Sequence, residues 1–121
     1  MQSAFRVVAA SAIIAAASLV IRADVTPSSQ SSEIQLQLAD LLFSEGKYLD
    51  SLDAYRNALK DAPSDNSRRP RVGVIASALR VAEFGLARGE AEKLYKSDPT
   101  GPESMTLYGD ALWSLFGSRL T

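Results

Sequence analysis

The chain has 121 residues, 46% of them hydrophobic, and a formal net charge of -1. It contains neither cysteine nor histidine, which excludes disulfides, zinc sites built on those ligands, thiol nucleophiles and Ser-His or Cys-His catalytic sets. The charge balance argues against a generally basic nucleic-acid binder, and the apolar content argues against a disordered chain.

The apolar residues are unevenly spread. Arg6 precedes an uncharged run of 15 residues, Val7 to Ile21, and Arg22, Ala23 and a polar stretch from Thr26 to Ser32 follow. This is the pattern of a secretory signal peptide, and the run is shorter than the roughly 20 residues that span a bilayer. Cleavage is expected after Ala23, with an uncleaved anchor over residues 7–21 as the alternative. Loss of Arg6 and Arg22 would leave residues 24–121 with a net charge of -3. The expected compartment is periplasmic or extracellular, with contact to a membrane only through the amino-terminal segment.

Residues 24–32 read as a linker of Pro, Ser and Gln. Ser32 with Gln35 resembles a capping box, so a first helix is expected from Glu33. Ile34, Leu38, Leu41 and Leu42 carry it to Gly46, a natural stop. Tyr48, Leu52, Tyr55, Ala58 and Leu59 form the stripe of a second helix that ends before Pro63. Asp61 to Arg69 is a polar connection. Pro70 suits the first turn of a third helix carried by Val74, Ile75, Ala78, Leu79 and Ala82. A fourth helix runs from Phe84 to Lys96, and a fifth opens at Pro102 with Met105, Tyr108, Leu112, Trp113 and Phe116. No segment alternates as a strand does, so the predicted class is all-α.

The helices repeat. Leu38 and Val74, Tyr48 and Phe84, Ser51 and Ala87, Tyr55 and Ala91, Ala58 and Leu94, and Pro63 and Pro99 are each 36 residues apart. Val74 and Tyr108, Ile75 and Gly109, and Ala78 and Leu112 are each 34 apart. One period of 34 with two residues inserted in the polar connection accounts for both spacings. Small residues at Ala39, Ala58, Ala78, Ala87 and Gly109 are expected where helices approach closely, and Tyr55 and Phe84 between neighbouring pairs.

In Leu38-Ala39, Leu42, Gly46, Tyr48, Ser51, Tyr55, Ala58 and Pro63, and more weakly in their counterparts up to Pro99, the chain resembles the tetratricopeptide repeat family. It departs from the family pattern where Gln35 and Arg71 replace the usual first large residue. The resemblance implies antiparallel helical hairpins in a short right-handed solenoid, preceded by the signal helix. Its repeats would occupy residues 32–65, 68–101 and an incomplete 102–121 of a domain over 33–121.

The family uses the concave face, lined by first helices, to hold an extended peptide or a partner helix. Carried over by position, that face here takes Glu33, Leu36, Asp40, Phe43 and Ser44. The later copies contribute Arg69, Val72, Ala76, Leu79 and Arg80, then Glu103, Thr106, Asp110, Trp113 and Ser114. Leu36, Asp40, Phe43, Arg69, Leu79, Arg80, Asp110 and Trp113 are the partner-binding candidates, with Phe43 and Trp113 as aromatic anchors. The Lys/Asn/Arg set with which some members clamp a terminal carboxylate is not evident. Arg68, Arg69 and Arg71 form the one basic cluster, read as a solvated helix start rather than a phosphate site.

The implied work is a non-catalytic protein–protein interaction scaffold of the cell envelope without cofactor or metal. The alternative is an accessory domain, or amino-terminal fragment, of a larger exported enzyme or assembly machine. Ser44-Glu45-Gly46-Lys47 spells the S-x-x-K of serine acyl-transfer enzymes, but neither companion motif occurs. No phosphate-binding glycine loop is present. Only the first helix of a third hairpin precedes Thr121, so Leu112, Trp113, Leu115 and Phe116 are expected near an uncovered end. That end implies either a fragment of a longer repeat protein or burial by a partner or a second copy.

Overall fold

The computed structural model describes residues 27–120. The expected signal segment, and the linker before Pro27, lie outside the described residues. All regular structure within them is helical: α1 (Pro27–Ser44), α2 (Tyr48–Asp61), a 3-10 turn (Ser64–Asn66), α3 (Arg68–Arg80), α4 (Phe84–Ser97) and α5 (Pro102–Leu120). None of these helices is long and apolar enough to cross a membrane.

Most helix ends fall where the punctuating residues stand. Ala62, held extended at φ -72° and ψ 136° before Pro63, stops α2. Pro102 opens α5. Gly46 adopts φ 76°, and the Lys47 N–H reaches back to the Leu42 carbonyl at 2.9 Å, a left-handed closure that glycine makes at little cost. The same closure recurs 36 residues later. Ala82 adopts φ 63°, and Glu83 N–H donates to Ala78 O at 2.9 Å. Ala82 therefore lies in the turn, whereas its apolar character had placed it in the third helix.

The start of α1 also differs from the sequence reading. Residues 27–32 are helical rather than linker. Pro27 occupies the first helical position, where its missing N–H is not needed. Ser32 lies inside the helix and is 6% exposed. Its hydroxyl donates to the Ala58 carbonyl at 2.8 Å, so it bridges α1 to the last turn of α2, where carbonyls run out of intrahelical donors. It does not cap.

Each helix packs on its successor, and α3 also touches α1 and α5, so α3 meets all four other helices. Small side chains make this closeness feasible. Ala39, Ala58, Ala78 and Ala87 are wholly buried, as are Ser51, Ser77 and Ser104. The Ser51 hydroxyl donates to the Ala39 carbonyl at 3.1 Å. With its one proton committed, Ser51 accepts from Ser77 at 3.1 Å. One hydroxyl thus joins α1, α2 and α3. Around this seam Leu52, Tyr55, Val74, Ile75 and Leu94 supply the larger buried volume, each worth about 1.5–3 kcal/mol of transfer free energy.

Three packing expectations need correction. Gly109 is exposed with no neighbour near a Cβ position, and the glycine at a close approach is Gly73, over which the Tyr55 ring lies. Phe84 stays half-exposed and does not pack on the buried cluster. On α1 the expected inward stripe faces out: Ile34, Leu38 and Leu41 are 64%, 44% and 55% exposed. Leu36 and Ala39 face the core instead, because the closest approach to α2 selects the small side chain.

Ala82→Gly is expected to raise stability by about 1 kcal/mol by removing a left-handed alanine. Gly73→Ala is expected to lower it by about 2 kcal/mol, since the added methyl collides with a buried ring. Urea denaturation of both variants checks the opposite signs.

Candidate interaction face

Helices α1, α3 and α5, with α3 touching both of the others, carry a polar groove near the start of α3. On the α1 side a hollow of about 270 Å³ is lined in part by Ser29, Glu33, Asn66, Arg69 and Pro70. On the α5 side one of about 280 Å³ is lined by Asp65, Asn66, Arg68, Arg69, Val72 and Glu103. Asn66 and Arg69 belong to both. A larger hollow, about 640 Å³, lies away from this face, where Asp53, Arg56 and Lys60 of α2 and Glu90 of α4 make an open charged wall.

Arg69 organises the α1 side. Its guanidinium pairs with Asp40 at 2.5 Å and lies 3.9 Å from Glu33. The other Asp40 oxygen accepts a hydrogen bond from the Tyr55 hydroxyl. Burial, followed by that bond to a carboxylate, pushes the Tyr55 pKa well above its ordinary value. The core residue packed on Gly73 thereby also orients a side chain of the groove. Arg68 organises the other side, pairing with Glu103 at 2.9 Å and Asp98 at 3.4 Å. Arg71 turns inward to Glu90 at 3.0 Å. The basic cluster is thus distributed to carboxylates on three other parts of the fold.

Glu90 is the least exposed of these acids, with 13% of its side chain accessible. Burial raises its pKa, but hydrogen bonds from Lys93 and Arg71 outweigh burial and hold it below the ordinary value.

Among the sequence candidates, Arg69 and Asp40 come together directly. Phe43 and Arg80 meet at the far end of the same helices. There Phe43 packs edge-on to Tyr48 with centroids 5.0 Å apart, and the Arg80 guanidinium lies 5.8 Å from the Phe43 ring and 5.1 Å from Tyr48. Leu79 is half-buried against the core. Leu36, a core residue at 5% exposure, also contributes to the lining of the α1-side hollow. Asp110 and Trp113 stand exposed on α5, Trp113 by 76%. Sequence reasoning passed over Asn66 and Arg68 as groove residues. The polar insertion that contains Asn66 was the available signal.

Ser44 donates to the Leu41 carbonyl and Lys47 pairs with Glu45, so the S-x-x-K residues serve the turn. Among the described residues no group of three or more acidic side chains is placed to hold a metal. The arrangement offers alternating positive and negative hydrogen-bonding groups to an extended polar segment. Comparison with protein-family models, with curated proteins and with solved structures finds no match to this chain.

A depressed carboxylate pKa stabilises the fold above its unfolded-state value, here the ordinary 4.5, and that contribution fades as pH falls through the lower native value. Glu90→Gln should cost about 1 kcal/mol at neutral pH. It should also flatten the loss of stability below about pH 4.5, as read from denaturation midpoints across an acid series.

Proposed function

We propose that this protein is a non-catalytic interaction scaffold of the exported, tetratricopeptide-like kind, which holds a peptide or partner helix along α1, α3 and α5. The observation that carries the reading is the lateral contact of α3 with both α1 and α5. The left-handed closures at Gly46 and Ala82 add support, because they recur at the 36-residue spacing. On this reading the amino-terminal apolar run directs export or anchors the chain, and the scaffold works in the periplasm or outside the cell.

The ligand that suits the groove is an extended peptide of mixed charge. Its acidic groups would meet Arg69 and Arg68, and its basic groups Glu33, Asp40 and Asp110. An apolar residue would rest on Trp113. A second reading, an accessory domain of a larger exported enzyme or assembly machine, is supported by the apolar stripe that α5 leaves exposed.

Peptides selected from a randomised display library on the purified chain should share mixed charge. Arg69→Ala should weaken them about tenfold, equivalent to about 1.4 kcal/mol, with its helical circular dichroism unchanged. Peptides that bind the variant as well as the parent, or a selection that yields none, would contradict the proposal.

A further inference from the structure

Helix α5 leaves Met105, Leu112, Phe116 and Leu120 exposed by 54%, 40%, 58% and 73%, with Trp113 beside them. The first four positions, with Gly109, form one continuous helical stripe. Its register has a counterpart on α3. Shifted by the 34-residue repeat, Met105, Gly109 and Leu112 correspond to Arg71, Ile75 and Ala78. There Arg71 pairs with Glu90 of α4, and Ile75 and Ala78 are wholly buried. The α5 stripe is therefore a helix-docking face by position as well as by composition.

We propose that this stripe pairs with the same stripe of a second copy, giving an antiparallel dimer with a two-fold axis beside Leu112 and Trp113. The face is self-complementary in size. In that register each Phe116 lies over the partner's Gly109, where no atom stands within 4 Å of a Cβ position. Each Met105 meets the partner's Leu120, and Leu112 meets the partner's Trp113. An isologous contact requires that kind of match. The flanks bring one opposite-charge approach: Arg119 comes within one helical turn of the partner's Glu103, a carboxylate that also pairs with Arg68. The five side chains offer on the order of 500 Å² per copy, so the pair buries about 1,000 Å² in all, at the small end of specific interfaces. The association is reversible and concentration-dependent. It rests on α5 alone and shares only Trp113 with the peptide reading.

Sedimentation of the 121-residue chain from about 1 to 100 µM is the first test. The proposal expects a monomer–dimer equilibrium that Phe116→Lys weakens at least 100-fold while helical content is kept. Because the chain has no cysteine, introduced thiols report the register cleanly. With a short bifunctional thiol reagent, Leu112→Cys should cross-link to itself. Met105→Cys should not, its two copies lying about 22 Å apart along the axis, but it should cross-link to Leu120→Cys in a mixture of the two variants. A monomer at every concentration, a dimer that survives Phe116→Lys, or self-cross-linking of Met105→Cys equal to that of Leu112→Cys would overturn the proposal.

Discussion

The Tyr55 ring lies in the space that a Cβ at position 73 would need. That one close approach of α2 to α3 sets much of what surrounds it. It keeps the Tyr55 ring in the core and carries its hydroxyl to Asp40 on α1. Asp40, held from behind, meets Arg69 on α3. The same approach brings Ser51 and Ser77 into hydrogen-bonding distance, and Ser51 passes the contact on to the Ala39 carbonyl. In a core with few large residues, dispersion contacts must be gained through closeness rather than bulk. Small side chains along the seam supply that closeness, and the geometry of the groove is inherited from it.

Charge then orients α3. Arginine at the first turn of a helix is mildly unfavourable to the helix dipole, and here three stand there. Carboxylates from α1, α4, and the segment around the start of α5 offset this. Exposed pairs such as that of Arg68 with Glu103 add little net stability. Their effect is directional, since each is satisfied only when α3 lies between the helices that carry its partners. The more buried pair of Arg71 with Glu90 differs, because breaking it leaves a charge with poor access to water. Arg69 combines both roles. It is ordered by Asp40 and remains well exposed, so it is both a structural strut and an accessible polar group of the proposed ligand face.

The all-helical class and most helix ends were legible in the sequence, because Gly46, Pro63 and Pro102 each impose a backbone conformation whatever surrounds them. The face of α1 was not. Ile34, Leu38 and Leu41 make a cleaner apolar stripe than Leu36 and Ala39, yet helices meet where Ala39 is small. Periodicity weighs hydrophobicity, whereas packing weighs shape. The ion pairs were illegible for another reason: Asp40 and Arg69 are separated by 29 residues, and Arg68 and Glu103 by 35. Only the closure of successive hairpins brings them together. Of the four large side chains expected near an uncovered end, Leu112, Trp113 and Phe116 are exposed and Leu115 is half-buried.

Close contact through small residues makes α3 the most strongly held element. Native-state amide hydrogen exchange on the dilute protein tests it most directly. The amides of Val74, Ile75 and Ala78 should exchange only through global unfolding. The first turn of α1 and the last turn of α5 should open locally and exchange orders of magnitude faster. Exchange of the α3 amides at the rate of those terminal turns would contradict it.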